Sequence, residues 1–264
     1  VHYQDISCKQ ECAVLTSQRK QLILERLAAE GQVLSKHLSE LFGVSEDTVR
    51  RDLRELAAEG RLQRVHGGAL PASAAIATFS ERQSLQSDAK RRIAQKGAEL
   101  VSPGQVVMID GGTTTAELIT FFPPDLHLTV VTHSPGIAVG LAQHPLIKVI
   151  MIGGQLYKHS IVNVGAAALE GISRVRADLF FMGVTGVHVE AGLSTGDFEE
   201  SRIKRAMADR AAETVVLASP EKLHTASPWV IGDISLVNTL VVDAQTDTSS
   251  LAGFAHRGIA IVKA

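Results

Sequence analysis

The chain has 264 residues, 45% of them hydrophobic and 20% charged, which excludes a wholly disordered or fibrous protein. Length alone allows about two domains. With 26 Lys+Arg against 28 Asp+Glu the net charge is −2, so a histone-like or polybasic protein is excluded and any nucleic-acid surface must be a local patch.

The two cysteines, Cys8 and Cys12, are too few to staple a fold of this size. A lone Cys-x3-Cys pair is also a poor zinc site, and the ten histidines show no metal-ligating spacing, so no metal or cofactor is expected. Residues 1–14 lack periodicity and read as a loose tail. No apolar run approaches the ~18 residues of a membrane span. The start has no basic stretch followed by an apolar one, as a secretory signal would. A cytoplasmic protein is the expectation.

Residues 15–70 carry a helical pattern. Helices are expected over Ser17–Glu30, Ser35–Phe42 and Ser45–Glu59, the first two closed by Gly31 and Gly43. Ser45 is a good N-cap, Glu46 and Asp47 complement the dipole, and Val44 and Val49 can staple the cap. Val49, Leu53, Leu56 and Ala57 form the buried stripe, which leaves Thr48, Arg50, Arg51 and Arg54 near the exposed face. Arginines at that position suit a major groove. Taken alone they equally describe a solvated helix paired with Asp52 and Glu55. Leu62 to Val65 then reads as a strand and Gly67-Gly68 as a bend, the outline of a wing carrying Arg64 and His66. Nine Lys+Arg face eight acidic residues between Ser17 and Gly68, so DNA binding must rest on how those charges are arranged.

Residues 71–83, with small side chains around Pro71, read as a linker. Beyond them, short apolar runs alternate with helical stretches: Val106–Ile109, Leu128–Val131, Lys148–Ile152, Leu179–Met182, Thr214–Leu217, Thr239–Val242 and Ile259–Val262. Helices are expected over Lys90–Val101, Thr115–Phe122, Ser134–Gln143 and Phe198–Ala212. This alternation predicts a mostly parallel sheet covered by helices.

Asp110-Gly111-Gly112-Thr113-Thr114-Thr115 follows the first strand and opens a helix. Glycines permit close backbone approach, and free N–H groups and hydroxyls suit a phosphate. No Gly-Lys-Ser/Thr follows, so this is no Walker loop; the plain alternative is a capped strand–helix turn. Thr132-His133-Ser134 and Gly153-Gly154 follow the next two strands and can converge on the same crevice. Lys204 lies four residues after Glu200, as an ordinary ion pair or as a phosphate ligand beside a carboxylate for sugar hydroxyls.

Val44 to Leu53, followed by Leu56 and by Arg64-Val65-His66-Gly67-Gly68-Ala69, resembles the DNA-binding signature of the DeoR family of bacterial transcriptional regulators, and the resemblance spans about residues 16–245. It implies a winged helix-turn-helix (15–70) joined through the linker to an α/β effector-sensing domain (84–264) of ribose-phosphate isomerase/CoA-transferase-like fold. Arg19, Ser45, Glu46, Thr48, Arg50, Arg51, Arg54, Arg64, His66 and Gly67 are then expected at double-stranded operator DNA. Asp110 to Thr115, Thr132, His133, Ser134, Gly153, Gly154, Glu200, Lys204 and Lys222 are expected at a phosphorylated sugar or related effector. The resemblance further implies a repressor of carbohydrate metabolism, not an enzyme, acting as a dimer or tetramer away from membranes. Two departures stand out. His133 occupies a position where Asn is common, and Ala218-Ser219-Pro220-Glu221-Lys222 keeps only the Lys of the usual Ala-Asp-Ser-Ser-Lys. A sugar-phosphate isomerase or deaminase with an appended DNA module is the alternative, with Asp110, Asp197, Glu199 and Glu200 as candidate bases. A DNA-bridging protein with a vestigial pocket is the third.

Overall fold

The computed structural model describes residues 15–264, so the cysteines and the expected tail lie outside the described residues. The described residues divide into two compact units, 15–72 and 73–264.

In the first unit, α1 (Thr16–Glu30) is followed by β1 (Val33–Leu34), α2 (Ser35–Phe42), α3 (Glu46–Ala58), β2 (Leu62–Val65) and β3 (Gly68–Pro71). Helix α3 starts where its chemistry dictates: the Ser45 hydroxyl accepts from the Thr48 amide at 3.2 Å, with Glu46 and Asp47 in the first turn. Ile23, Leu27, Leu38, Val49, Leu53, Leu56 and Leu62 close into one core. The three strands form an antiparallel sheet in the order β1-β3-β2. β1 crosses so close to Gly68 that a Cβ there would lie 1.9 Å from the Val33 carbonyl oxygen, so only glycine fits.

In the second unit, α4 (Phe79–Ser84) and α5 (Ser87–Ala98) precede β4 (Val106–Ile109), α6 (Thr113–Leu118), β5 (Leu128–Thr132), α7 (Pro135–Leu141) and β6 (Ile147–Met151). A small hairpin of β7 (Gln155–Tyr157) and β8 (Val162–Val164) leads to α8 (Ala166–Ser173) and β9 (Ala177–Met182). Then come β10 (Gly186–His188), β11 (Gly192–Thr195), α9 (Phe198–Ala208), β12 (Ala211–Ala218), β13 (Trp229–Gly232), β14 (Thr239–Val242), α10 (Thr248–His256) and β15 (Ala260–Lys263). Seven strands form one parallel sheet in the order β15-β14-β12-β9-β4-β5-β6. Alternate residues feed two cores. Met108, Phe180, Val216 and Leu240 face one side, and Val107, Leu179, Val215 and Val241 the other, as a sheet buried on both faces requires. Chain order reverses between β4 and β9, which places a topological switch point at that pair.

The stretch read as a linker is structured from Ser73 onward. The buried Ser73 hydroxyl donates to the Thr185 carbonyl oxygen, and Ala75 is buried. A capping box between Thr78 and Glu81 starts α4. Of the small side chains there, Ser73 and Ala75 are buried, and Ala74 and Ile76 are exposed. The expected helix 198–212 stops at Ala208, and Ala211 and Ala212 already belong to β12.

Candidate functional site

Two surfaces collect the residues singled out from sequence. In the first unit, Ser35, Lys36, Glu46, Arg50, Arg64 and His66 border one groove between the α3 N-terminus and the wing turn at Gly67-Gly68. Arg51 and Arg54 are exposed on α3. Thr48 stays at the cap, its hydroxyl 3.0 Å from that of Ser45. Arg50 is held by Glu46 at 2.6 Å and Asp47 at 3.0 Å, and Arg51 by Glu55 at 3.1 Å. These exposed pairs are weak and exchangeable. Lys36 was not anticipated; it is a solvated lysine in sequence and joins the groove only through the fold.

Arg19 does not join it. Its guanidinium is buried against Asp52, with Nε–Oδ2 at 2.5 Å and Nη2–Oδ1 at 3.1 Å. The pair ties α1 to α3 inside the core, so the expectation of a DNA contact at Arg19 is corrected to a structural one. Asp52 is likewise withdrawn from pairing with the arginines on its own helix.

The second surface lies at the switch point. Asp110 ends β4 with no exposed surface. Its Oδ2 accepts from Lys204 Nζ at 2.5 Å and from the Gly183 amide, just after β9, at 2.9 Å; its Oδ1 meets the Gly111 amide at 2.8 Å and His133 Nε2 at 2.7 Å. Burial pushes this carboxyl up, but Lys204 and His133 outweigh it and hold it at about 2. His133 Nδ1 lies 2.7 Å from the Asn163 carbonyl oxygen, so both ring nitrogens sit against oxygen atoms of the buried site. A Cβ on Gly183 would lie 2.7 Å from the Gly111 carbonyl oxygen and 3.1 Å from Asp110 Oδ2, so the two strand ends meet only through glycine.

Above this anchor is a small cavity. Gly111, Gly112, Thr113, Thr114 and Thr115 line one wall; Glu200 and Lys204 from α9, Thr195 from β11, and Glu221 and Lys222 from the loop after β12 line others. Burial pushes Lys222 down to about 8, with repulsion from Lys90, Arg82 and Lys204 adding to it and Glu221 opposing. Glu200, 3.9 Å from Lys204, is a secondary partner; the primary one, Asp110, is 94 residues away in sequence.

Several expected ligands do not reach the cavity. Thr132 donates to the Ile109 carbonyl oxygen, and Ser134 caps α7. With His133 they form the buried support of the site rather than its lining. Gly153 and Gly154 are exposed and off the cavity, because the chain leaves β6 toward the β7–β8 hairpin. Arg82, Lys90 and Glu221 line the cavity and were not anticipated. Among the described residues no cluster of His, Cys, Asp and Glu could hold a metal ion, and no helix is long and apolar enough to cross a membrane.

Residues 19–74 match the DeoR-like helix-turn-helix domain and residues 85–244 the DeoR C terminal sensor domain. The chain is 32% identical to the HTH-type transcriptional regulator GlpR of Haloferax volcanii, over 94% of this chain and 98% of that one. It is 32% identical to the glycerol-3-phosphate regulon repressor of Escherichia coli, over 88% and 93% respectively. Ribose 5-phosphate isomerase A from Methanocaldococcus jannaschii is similar at 19% identity and a TM-score of 0.40, covering 52% of this chain and 55% of that one. The helix-turn-helix and sensor matches, with relatives aligned over nearly their full length, establish that the chain belongs to the DeoR family of transcriptional regulators.

Proposed function

We propose that the protein represses genes of carbohydrate metabolism and leaves its double-stranded operator when the switch-point cavity binds a phosphorylated sugar. The observation that carries the reading is the cavity's chemistry. Lys204, Lys222, Arg82 and Lys90 surround a wall of glycine amides and threonine hydroxyls. Cations and amides suit a phosphate, and Glu200 with Thr185 and Thr195 suits sugar hydroxyls. The groove carrying Lys36, Arg50, Arg64 and His66 supplies the DNA face, with α3 as the recognition helix. Symmetric half-sites would be read by a dimer or tetramer, away from membranes.

Binding without turnover is favoured over an isomerase. Asp110, the candidate base just after β4, does not line the cavity; it is wholly buried and engaged by Lys204, His133 and two amides. A base so held is an anchor, not a proton shuttle.

The test is thermal unfolding of the full chain with a panel of sugar phosphates beside their unphosphorylated parents. A ligand at 100 times its Kd stabilises by about 2.7 kcal/mol, a shift of several degrees. A shift from a phosphate ester that its parent sugar does not produce supports the reading. A flat panel, or turnover of the ester, overturns it.

A further inference from the structure

Helix α5 and the loop after β12 each have two faces. Lys90, Glu221 and Lys222 line the switch-point cavity, whereas Ala89, Arg92, Pro220, Leu223 and His224, on the same two segments, line a second cavity of about 450 Å³. No residue lines both. Gln86 just before α5, Gln245 and Thr246 after β14, and Ser250 on α10 complete its walls. The volume lies in the range that takes a small molecule. Costly features gather here. Among the described residues four buried side-chain polar atoms lack a hydrogen-bond partner, and two of them, His224 Nε2 and Thr246 Oγ1, belong to lining residues of this cavity. Three non-glycine residues have a positive φ, and two of them, Gln86 at 54° and His224 at 57°, stand on its walls. Unpaired buried polar atoms and left-handed backbone both cost stability, and such costs cluster where a ligand recovers them.

The lining also selects the ligand's chemistry. Its two charged groups already satisfy each other: Arg92 Nε and Nη2 lie 3.0 and 2.6 Å from Asp243 Oδ2, and Asp243 Oδ1 accepts from the Gln245 backbone amide at 2.8 Å. A charged ligand finds no free counter-charge there. Burial holds His224 below the ordinary histidine range, so its ring is neutral at pH 7 and offers one donor and one acceptor. The Gln86 and Gln245 carboxamides are groups that pair edge-on with a base. Ala89, Pro220 and Leu223 supply apolar wall. A flat ring with polar edges and apolar faces matches both kinds of surface, whereas a polyol would set hydroxyls against the apolar wall. We propose that this cavity binds a small uncharged heterocycle of the nucleobase class, with His224 and Thr246 turning their unpaired atoms onto its edge. The inference goes beyond the sugar-phosphate reading and does not rest on it. The shared walls link the two cavities. A ligand here fixes the loop that carries Lys222 on its other side, so heterocycle and effector change each other's affinity by the same factor.

The experiment titrates the full chain calorimetrically with uracil, cytosine and adenine, and with glycerol and D-glucose as uncharged polyols. The expected result is that a heterocycle binds and the polyols do not. Thr246→Val and His224→Asn each weaken that binding by about tenfold or more, while the surface variant Arg174→Ala leaves it unchanged. Asparagine is chosen because it tolerates the left-handed backbone at position 224. Thr246→Val should lose affinity while its unfolding temperature stays level or rises, since it removes a buried hydroxyl that has no partner; a merely structural threonine would not separate the two readouts. Failure of all three heterocycles to bind, binding of the polyols instead, or unchanged affinity in both variants overturns the proposal. Heterocycle binding that leaves the affinity for an active ester unaltered overturns the link between the cavities. If a heterocycle binds as expected and no ester does, the sugar-phosphate reading falls and this site stands.

Discussion

At the scale of residues, buried ion pairs between distant segments decide which charges are structural. The family resemblance implies Arg19 at DNA; only the fold brings Asp52, 33 positions later, against it. Arg19→Ala should leave a buried carboxylate unpaired and cost about 3–5 kcal/mol. In a two-transition unfolding curve the first unit should melt early while the second is unmoved; an unchanged first transition would return Arg19 to the surface. Lys204 shows the same limit of local reading. Spacing suggested Glu200, whereas Asp110 is the nearer partner. His133→Ala should leave the Asn163 carbonyl oxygen without its ring partner and Asp110 Oδ1 with the Gly111 amide alone, lowering the second unit's stability by about 1–3 kcal/mol in denaturant unfolding. A loss below about half of that would show that the ring is not needed there. Lys222 predicts a pH dependence whose sign follows from burial. Its folded value of about 8 lies below the 10.5 of an ordinary lysine. The unfolded chain therefore holds more protons between these values, and the cost of the buried charge, full below about 8, is relieved as pH rises through that window. Anion binding needs the ammonium and runs the other way. Affinity should hold below pH 8 and fall by up to about tenfold per unit above it, and isothermal titration at pH 7 and pH 9.5 reads this directly. A flat profile would remove Lys222 from the anion site.

At the scale of elements, the legible parts were those whose pattern is local. All seven strands of the central sheet stand out as apolar runs; the inner ones are buried on both faces, and the edge strands β6 and β15 keep an apolar run although partly exposed. The helix-turn-helix and wing are equally readable, since Ser45, Gly43 and Gly67-Gly68 mark their ends by cap and turn chemistry. The short strands β7, β8, β10, β11 and β13 were not legible, being three or four residues long and defined by their partners. The same holds for α4, whose small and polar stretch reads as a linker until Ser73 and Thr78 find their acceptors. The cavity-lining loop after β4 was legible from its glycines and threonines; Arg82 and Lys90 were not, because a charge in a linker-like stretch or at a helix start usually marks solvent. Two variants, one double and one single, separate the elements of the proposed DNA face. Arg50→Ala with Arg51→Ala should abolish specific binding to a selected duplex while leaving the second unit's unfolding transition in place. Arg64→Ala, on the wing, should weaken binding evenly across sequences and lower the salt slope by about one. Specific affinity retained in the double variant would displace α3 as the recognition helix.

At the scale of the whole molecule, the chain joins a near-neutral DNA-binding unit to a sensor that brings Arg82, Lys90, Lys204 and Lys222 to one cavity at its switch point. An effector shifts DNA binding only if it binds the free form more tightly than the DNA-bound form. The central claim is therefore a coupling, and it is measured most directly by titrating the active phosphate ester into a complex of the full chain with a fluorescent duplex selected by that chain from random sequence. The account predicts that anisotropy falls with the ester, stays high with its parent sugar, and responds only at much higher ester concentration in Lys222→Ala. An ester that stabilises the protein yet leaves the complex intact at saturation would contradict it.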